Sequence, residues 1–291
     1  MLNWGRLITA MLTPMNAKGE VDLDECVSVA KYLEKNGSTA LLVAGTTGES
    51  PVLTAEEKRQ MFLAIKKNVG IPVIANIGTN STAASIENLK QAEACGVDGL
   101  LAVVPYYNKP NAESQFLHFS ALAKAATLPI IMYNIPGRTG INMAAETTIR
   151  LSKVKNIAGI KEASGNLEQV AQIVAGTDDD FMVYTGEDSQ TLPTLAIGGY
   201  GVVSVASHVV GNEMADMINS YEKGDVVHAK DLHLKLMGIT KRLFMTANPI
   251  PVKAAMNLIG FHVGNPRLPL APADDTVVAA LTEELKKLGK I

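Results

Sequence analysis

The 291-residue chain holds two cysteines, one tryptophan and 5% aromatic residues. Cys26 and Cys95 have no CxxC spacing and both fall in segments of helical pattern. That excludes a disulfide framework and a cysteine metal site, and they read as buried thiols of a reducing compartment. Long hydrophobic runs are also missing. The opening MLNWGRLITAMLTP carries one Arg and an apolar stretch interrupted by Thr9, Thr13 and Pro14, too short and too polar for a signal peptide or a membrane span. A cytoplasmic protein without membrane contact is expected. Neither sign of charge is clustered and the net charge is −3, so the basic footprint of a nucleic-acid binder is absent and a small-molecule partner is expected. The five histidines are scattered. His228 and His233 fall on different faces of a helix, which argues against a metal centre. No Walker motif occurs, and the first strand-to-helix turn lacks GxGxxG. GGYG (198–201) precedes a strand and reads as a turn.

What is present is an alternation. The hydrophobic fraction is 47% and the charged fraction 19%, enough apolar residues for a sizeable core. Short runs rich in β-branched residues recur through the first 206 positions: LITAML (7–12), TALLVA (39–44), IPVIANI (71–77), GLLAVVP (99–105), PIIMYNI (129–135), IAGIK (157–161), FMVYTG (181–186) and GVVSVA (201–206). Helical signals lie between them. Asp22-x-x-Glu25 and Thr54-x-x-Glu57 have the pattern of capping boxes, Gly37, Gly70 and Gly96 that of C-terminal stops, and Met61, Phe62 and Ile65 share one helical face. Near-continuous apolar strands alternating with amphipathic helices predict a parallel sheet covered on both faces. Eight such units at this length favour a closed (β/α)8 TIM barrel over an open doubly wound sheet. The barrel is expected over residues 1–224. Residues 225–291 carry only helical patterns and are expected to form a C-terminal helical extension.

In such a barrel the site lies at the C-terminal ends of the strands. Those ends are GTTGES (45–50), PYYNKP (105–110), YNIPGRTG (133–140), KEAS (161–164) and TGED (185–188). Lys161 closes a buried strand. Alternation places Ile157, Gly159 and Lys161 on one face and Glu162 on the other, and Gly159 would leave room below a long side chain. Burial disfavours an ammonium, and a neutral amine can attack a carbonyl. The strand alone leaves a second reading open, a structural lysine that pairs with a carboxylate or snorkels to water. Tyr133 closes the preceding strand at the same height, where a phenol could move protons for the amine; an isolated tyrosine there could equally pack a loop. Thr46 and Thr47 could cradle a carboxylate with hydroxyls and N–H groups, or be ordinary turn residues. Arg138 could hold a second carboxylate, or simply be solvated. Glu187 and Asp188 read as caps of the following helix rather than cation ligands.

Taken together and in order, GTTGES, PYYNKP, YNIPGRTG and GIKEASG resemble the pyruvate-dependent class I aldolases of the dihydrodipicolinate synthase family. The resemblance extends from GRLITAMLTP to NPIPVKAAMNLIG (248–260). It implies a Schiff base between Lys161 and pyruvate, with Tyr133 as general acid/base. It extends a proton relay through Thr46 and Tyr107, Tyr107 coming from the neighbouring subunit of a dimer. It implies that Thr47 and the backbone near Gly186 and Val203 hold pyruvate and that Arg138 holds the carboxylate of L-aspartate 4-semialdehyde. The implied product is 4-hydroxy-tetrahydrodipicolinate, on the route to diaminopimelate and lysine. No metal or organic cofactor is implied, and members of the family are usually homotetramers, dimers of dimers.

Two other readings use the same barrel. N-acetylneuraminate lyase and the sugar-acid aldolases resemble the chain at Lys161 and Tyr133, but typically have Ser at the position of Thr46 or lack Arg at that of Arg138. A fixed guanidinium suits a short carboxylate-ended substrate better than a sugar chain. A non-catalytic sensor would not need the set Lys161, Tyr133, Thr46 and Tyr107. Feedback-inhibited members of the family bind lysine through histidines on the helix after GTTGES and a glutamate in the third helix. Here Ala55, Lys58 and Ala84 stand at those positions, while Asn80 and Tyr106 remain. The exchange of an acid for a like charge predicts little or no inhibition by lysine.

Overall fold

The computed structural model of the chain describes residues 4–291. Its elements follow the predicted alternation. β1 (Leu7–Ala10), α1 (Leu23–Lys35), β2 (Ala40–Val43), α2 (Ala55–Asn68), β3 (Val73–Asn76), α3 (Thr82–Ala94) and β4 (Gly99–Val103) come first. Next are α4 (Ala112–Ala125), β5 (Ile130–Asn134), a single turn α5 (Pro136–Thr139), α6 (Ala145–Ser152), β6 (Ile157–Glu162) and α7 (Leu167–Gly176). β7 (Met182–Thr185), α8 (Thr191–Ala196), β8 (Gly201–Ser204) and α9 (Ser207–Glu222) complete the barrel, and α10 (Val226–Leu243), α11 (Ile250–Leu258) and α12 (Asp275–Lys287) follow it. The eight strands close in sequence order. Every residue of β1, β2, β3, β5, β7 and β8 is buried. Strands covered on both faces give the continuous apolar runs from which the barrel was expected.

Short polar side chains begin the helices. Asp22, Thr54, Ser81, Asn111, Asn166, Asp225 and Asp274 each accept a backbone N–H from the first turn they precede, satisfying donors the helix cannot pair internally. Thr54 and Glu57 form a full capping box. Asp22 and Glu25 do not: the Asp22 N–H donates to Pro14 O, and Glu25 Oε1 accepts instead from the His262 N–H at 2.7 Å. Gly37 and Gly96 follow their helices with φ of +93° and +74°. Gly70 has no such φ, and its N–H donates to Glu34 Oε1. Cys26 lies inside α1 and Cys95 just past the end of α3, both buried and neither in a disulfide. Met61, Phe62 and Ile65 are the buried face of α2.

Backbone contacts gather the chain into two units, Met1–Pro72 with Ser204–Ile291, and Val73–Val203. The first contains β1, β2 and all helices from α9 onward. Trp4, Leu7, Met11, Leu33 and Leu41 are fully buried in it. So is His208, whose Nε2 accepts the Leu12 N–H at 3.1 Å while Nδ1 faces Val205 O at 2.8 Å. A carbonyl can only accept and an amide N–H can only donate, so the ring is neutral with its proton on Nδ1. The second unit holds β3 to β7, with Ile74, Leu100, Ile131, Met132, Ile160 and Tyr184 in its core. No helix among the described residues is long and apolar enough to cross a membrane.

His208 and, in the second unit, His118 are both pushed down to about 4 by burial. The unfolded chain takes up these protons near the ordinary histidine value of about 6.5, and the folded chain does not until well below it. Stability is therefore complete above that value and declines as pH falls toward 4. Denaturant unfolding is expected to lose about 2 kcal/mol per histidine between pH 7 and 5. An unfolding free energy unchanged over that interval would contradict this account.

Candidate active site

Lys161 and Tyr133 reach each other through an irregularity. β5 and β6 begin in register with Ile130 opposite Ile157, but Ile131 stands opposite Gly159, so Ala158 is an extra residue on β6. Beyond this bulge the pairing runs Met132 with Ile160, Tyr133 with Lys161 and Asn134 with Glu162. Uninterrupted pairing would have set Tyr133 against Ile160. The bulge advances Lys161 to the phenol, a common use of bulges beside functional sites. Strict alternation from Ile157 to Lys161 is thus broken at Ala158, although Gly159 and Lys161 still share a face.

Both side chains are enclosed: Lys161 is 6% exposed and Tyr133 4%. Lys161 Nζ lies 4.3 Å from the centroid of the Tyr133 ring, within the range at which a cation is attracted to an aromatic face. The expected role of Gly159 is corrected by its neighbours. A Cβ there would stand 2.3 Å from Met182 O, so this glycine admits the β7 backbone. The room for the lysine comes from Gly186, where a Cβ would be 2.8 Å from Lys161 Cε and 2.6 Å from Ala163 Cβ. The Gly186 N–H donates to Glu162 O at 2.7 Å, holding the end of β7 against that of β6. Val203 is buried in β8, whose Val202 pairs with Thr185.

Glu187 follows Gly186. It occupies the position before a 3-10 turn but makes no side-chain cap bond, which corrects the expectation of a cap. Burial first, then the Asp188 carboxylate, push its carboxyl up, while Lys161 and Arg138 pull it down. Its carboxylate therefore feels both the Lys161 amine and the Arg138 guanidinium. Arg138 itself is exposed on α5. Tyr107 stands apart from this group. It is 89% exposed, in a turn with φ of +72°, so its own chain does not enclose it.

Thr46 and Thr47 belong to the first unit. Thr46 is half-buried and Thr47 buried, and Thr47 Oγ1 accepts from Asn248 Nδ2 at 2.9 Å. Ala44 and Glu49 bracket them with left-handed backbone, φ of +56° and +59°. The Glu49 carboxylate fixes this turn. Its Oε1 lies 2.6 Å from Lys253 Nζ, a pair at most 2% exposed, and its Oε2 accepts the Arg267 N–H at 2.8 Å. Burial pushes the Lys253 ammonium down and Glu49 beside it holds it up. Sequence reasoning missed Asn248, Glu49 and Lys253. The available signal was the lysine among apolar helix residues in NPIPVKAAM, the same anomaly that singled out Lys161. Among the described residues no three His, Cys, Asp or Glu side chains gather as a metal site.

A closed parallel barrel that sets a buried amine against a phenol at adjacent strand ends has the layout of a lysine-dependent aldolase. Comparison with known proteins is specific. The model of the dihydrodipicolinate synthetase family matches residues 3–288, and the chain belongs to that family. It is 52% identical over 290 residues to the 4-hydroxy-tetrahydrodipicolinate synthase of Moorella thermoacetica, covering 99% of both chains. Among solved structures it matches the lysine-bound dihydrodipicolinate synthase of Cyanidioschyzon merolae with a TM-score of 0.97 and 47% identity, over 99% of each chain. It also matches a monomeric dihydrodipicolinate synthase variant with a TM-score of 0.97 and 41% identity, over 99% of this chain and 98% of that one.

The Gly186 contact is testable. Gly186→Ala should leave the circular-dichroism spectrum native and slow the reductive alkylation of Lys161 by a keto acid about tenfold or more, because the added methyl displaces the lysine stem. An unchanged rate would show that Gly186 does not make room for Lys161.

Proposed function

We propose that the protein condenses pyruvate with L-aspartate 4-semialdehyde through a Schiff base on Lys161, giving 4-hydroxy-tetrahydrodipicolinate for diaminopimelate and lysine synthesis. One observation carries the reading: a buried amine in register with a buried phenol, in a chain 52% identical along its length to a synthase of that name. An amine that adds to the pyruvate carbonyl and loses water forms an imine. Loss of a methyl proton from that imine leaves an enamine, whose carbon bonds to the aldehyde. The amino group of the semialdehyde then displaces the lysine and closes the ring. Proton transfers accompany each addition and elimination, and Tyr133 is the acid/base beside the nitrogen where they occur.

The other roles rest on the resemblance. Thr47 holds the pyruvate carboxylate, with Thr46 as the next member of the relay. Gly186 and Val203 offer backbone contacts; the Gly186 N–H is already donated to Glu162, so Gly186 meets pyruvate through its carbonyl. Arg138, exposed and carried on the turn directly after β5, receives the aldehyde's carboxylate. The extreme exposure of Tyr107 supports its service to a second subunit of a homotetramer.

Incubation with pyruvate and borohydride should add a reduced pyruvyl group to Lys161 and to no other lysine, and Lys161→Ala should abolish it. Absence of the adduct from the unsubstituted chain would refute the Schiff-base reading. Arg138→Ala should retain the adduct while raising the KM for the semialdehyde about tenfold or more. An unchanged KM would favour a sugar-acid substrate, for which this guanidinium is dispensable.

Feedback is the second point. The Cyanidioschyzon merolae relative binds lysine. Here Lys58 is half-buried on α2, and burial pushes its ammonium down from the usual lysine value. Neither it nor Ala55 and Ala84 offers a carboxylate to a lysine ligand. Initial rates are expected to be unchanged by lysine at about 1 mM, a concentration that half-fills a site binding with about −4.1 kcal/mol. A rate halved at sub-millimolar lysine would overturn this.

A further inference from the structure

Behind the Lys161–Tyr133 pair, on the opposite side of the same two strand ends, lies a second pair. Asn134 and Glu162 are also register partners. Side chains alternate across a strand, so each residue sits one step beyond its catalytic neighbour and faces the other way. Asn134 Nδ2 donates to Glu162 Oε2 at 2.9 Å. Gln169 Nε2, from α7, donates to the same oxygen at 3.0 Å, and the Ser164 N–H donates to Oε1 at 2.7 Å. The carboxylate is 2% exposed, and these three donors are all uncharged.

The contacts extend outward as well. Asn134 Nδ2 is 2.7 Å from Asn142 Oδ1, and Asn134 Oδ1 accepts the Met143 N–H at 3.0 Å. Asn142 Nδ2 in turn donates to Gln169 Oε1 at 2.7 Å. Glu162 O accepts the Gly186 N–H. Glu162 thus joins the end of β5, the turn after β6, α7 and the glycine against which the lysine stem lies, and its partners Asn134 and Gln169 carry the contacts on to the segment that follows Arg138.

A carboxylate in this place is costly. Burying one without a counter-cation carries a desolvation penalty of several kcal/mol, and apolar packing would serve stability as well or better. Its distinctive property is directional: two oxygens with fixed lone pairs specify where three donors must stand. The bulge at Ala158 changes the register partway along β6, and the hydrogen bonds of Glu162 lie at the upper end, beside the register that places Lys161 against Tyr133.

We propose that Glu162 is a positioning residue for the Schiff-base reaction: through Asn134 and Gln169 it holds the Lys161 amine and the Tyr133 phenol in reacting geometry without touching substrate. The proposal rests on the Schiff-base reading given above. Glu162→Gln keeps the shape and replaces one acceptor oxygen by an NH2 group, which in either amide orientation faces a donor: the Asn134 and Gln169 amides, or the Ser164 N–H. The measurements are kcat and pyruvate KM, with active sites counted by the borohydride adduct, so that misfolded protein is excluded from the rate.

Per trapped site, kcat should fall about tenfold to a hundredfold, with the KM for pyruvate changed less than about threefold. Adding Gln169→Glu returns the carboxylate to the other side of the same hydrogen bond, and the double variant should recover at least threefold over Glu162→Gln. A role in folding alone would lower the number of trapped sites and leave kcat per site unchanged. That result overturns the proposal, as does a double variant no faster than the single one. If Glu162→Gln yields no folded protein, Gln169→Met removes one donor at similar volume, and a fall in kcat per site of less than about twofold overturns the proposal. Failure of the unsubstituted chain to form an adduct would refute the underlying reading, whereas an adduct with full turnover in Glu162→Gln would refute only the positioning role.

Discussion

The parallel ladder between β5 and β6 determines what the candidate site can do. Its upper rungs pair Tyr133 with Lys161 and Asn134 with Glu162, and a shift by one residue would set Tyr133 against Ile160 or Glu162, whose side chains face the other way. The chemistry of an amine against a phenol therefore depends on a backbone register, and that register is not the one with which the strands begin. One extra residue, Ala158, converts it. Isoleucines at the base of both strands contribute burial without direction, whereas the amide, carboxylate and backbone N–H groups above them bond along fixed directions. Apolar burial supplies cohesion there, and polar contacts supply alignment.

The same division recurs in the first unit. The left-handed turn that carries Thr46 and Thr47 ends at Glu49, whose carboxylate is buried against Lys253 and the Arg267 backbone. An ion pair in so dry a place contributes little net stability compared with apolar packing, but removal of either member leaves a lone buried charge and costs about 3–5 kcal/mol. Glu49 lies within three residues of Thr46 and Thr47, and Glu162 directly follows Lys161. Each carboxylate joins segments distant along the chain through side-chain and backbone donors.

How far the sequence disclosed this depends on whether a feature is local. The barrel, the caps at Thr54 and Asp22, the buried face of α2 and the candidacy of Lys161 all follow from period and composition within a short window. Lys161 was visible because a cation in an apolar strand breaks a pattern. The use of Gly159 is not legible, since alternation tells which residues share a strand face and not which neighbouring backbone approaches; the space for the lysine belongs to Gly186, just beyond the end of β7. The bulge at Ala158 was invisible, because a strand's own sequence does not number its partner's residues. Glu25 was expected to close a capping box and instead receives the His262 N–H, a contact no local motif contains. Alternation places Glu162 on the face away from Lys161, but its donors there, Asn134, Ser164 and Gln169, are visible only in the structure.

The helices after the barrel place the GTTGES turn in time as well as in space. Asn248 follows Thr47 by 201 residues, and the cation that neutralises Glu49 comes five residues later still. A ribosome adding about 5–20 residues each second needs on the order of 10–40 s to cover that distance. Throughout that interval a nascent chain carries the turn with its carboxylate unopposed and its threonine unbraced. The first of the candidate loops to be synthesised is thus among the last to gain its contacts, and translation must approach its end before this turn can take its final form.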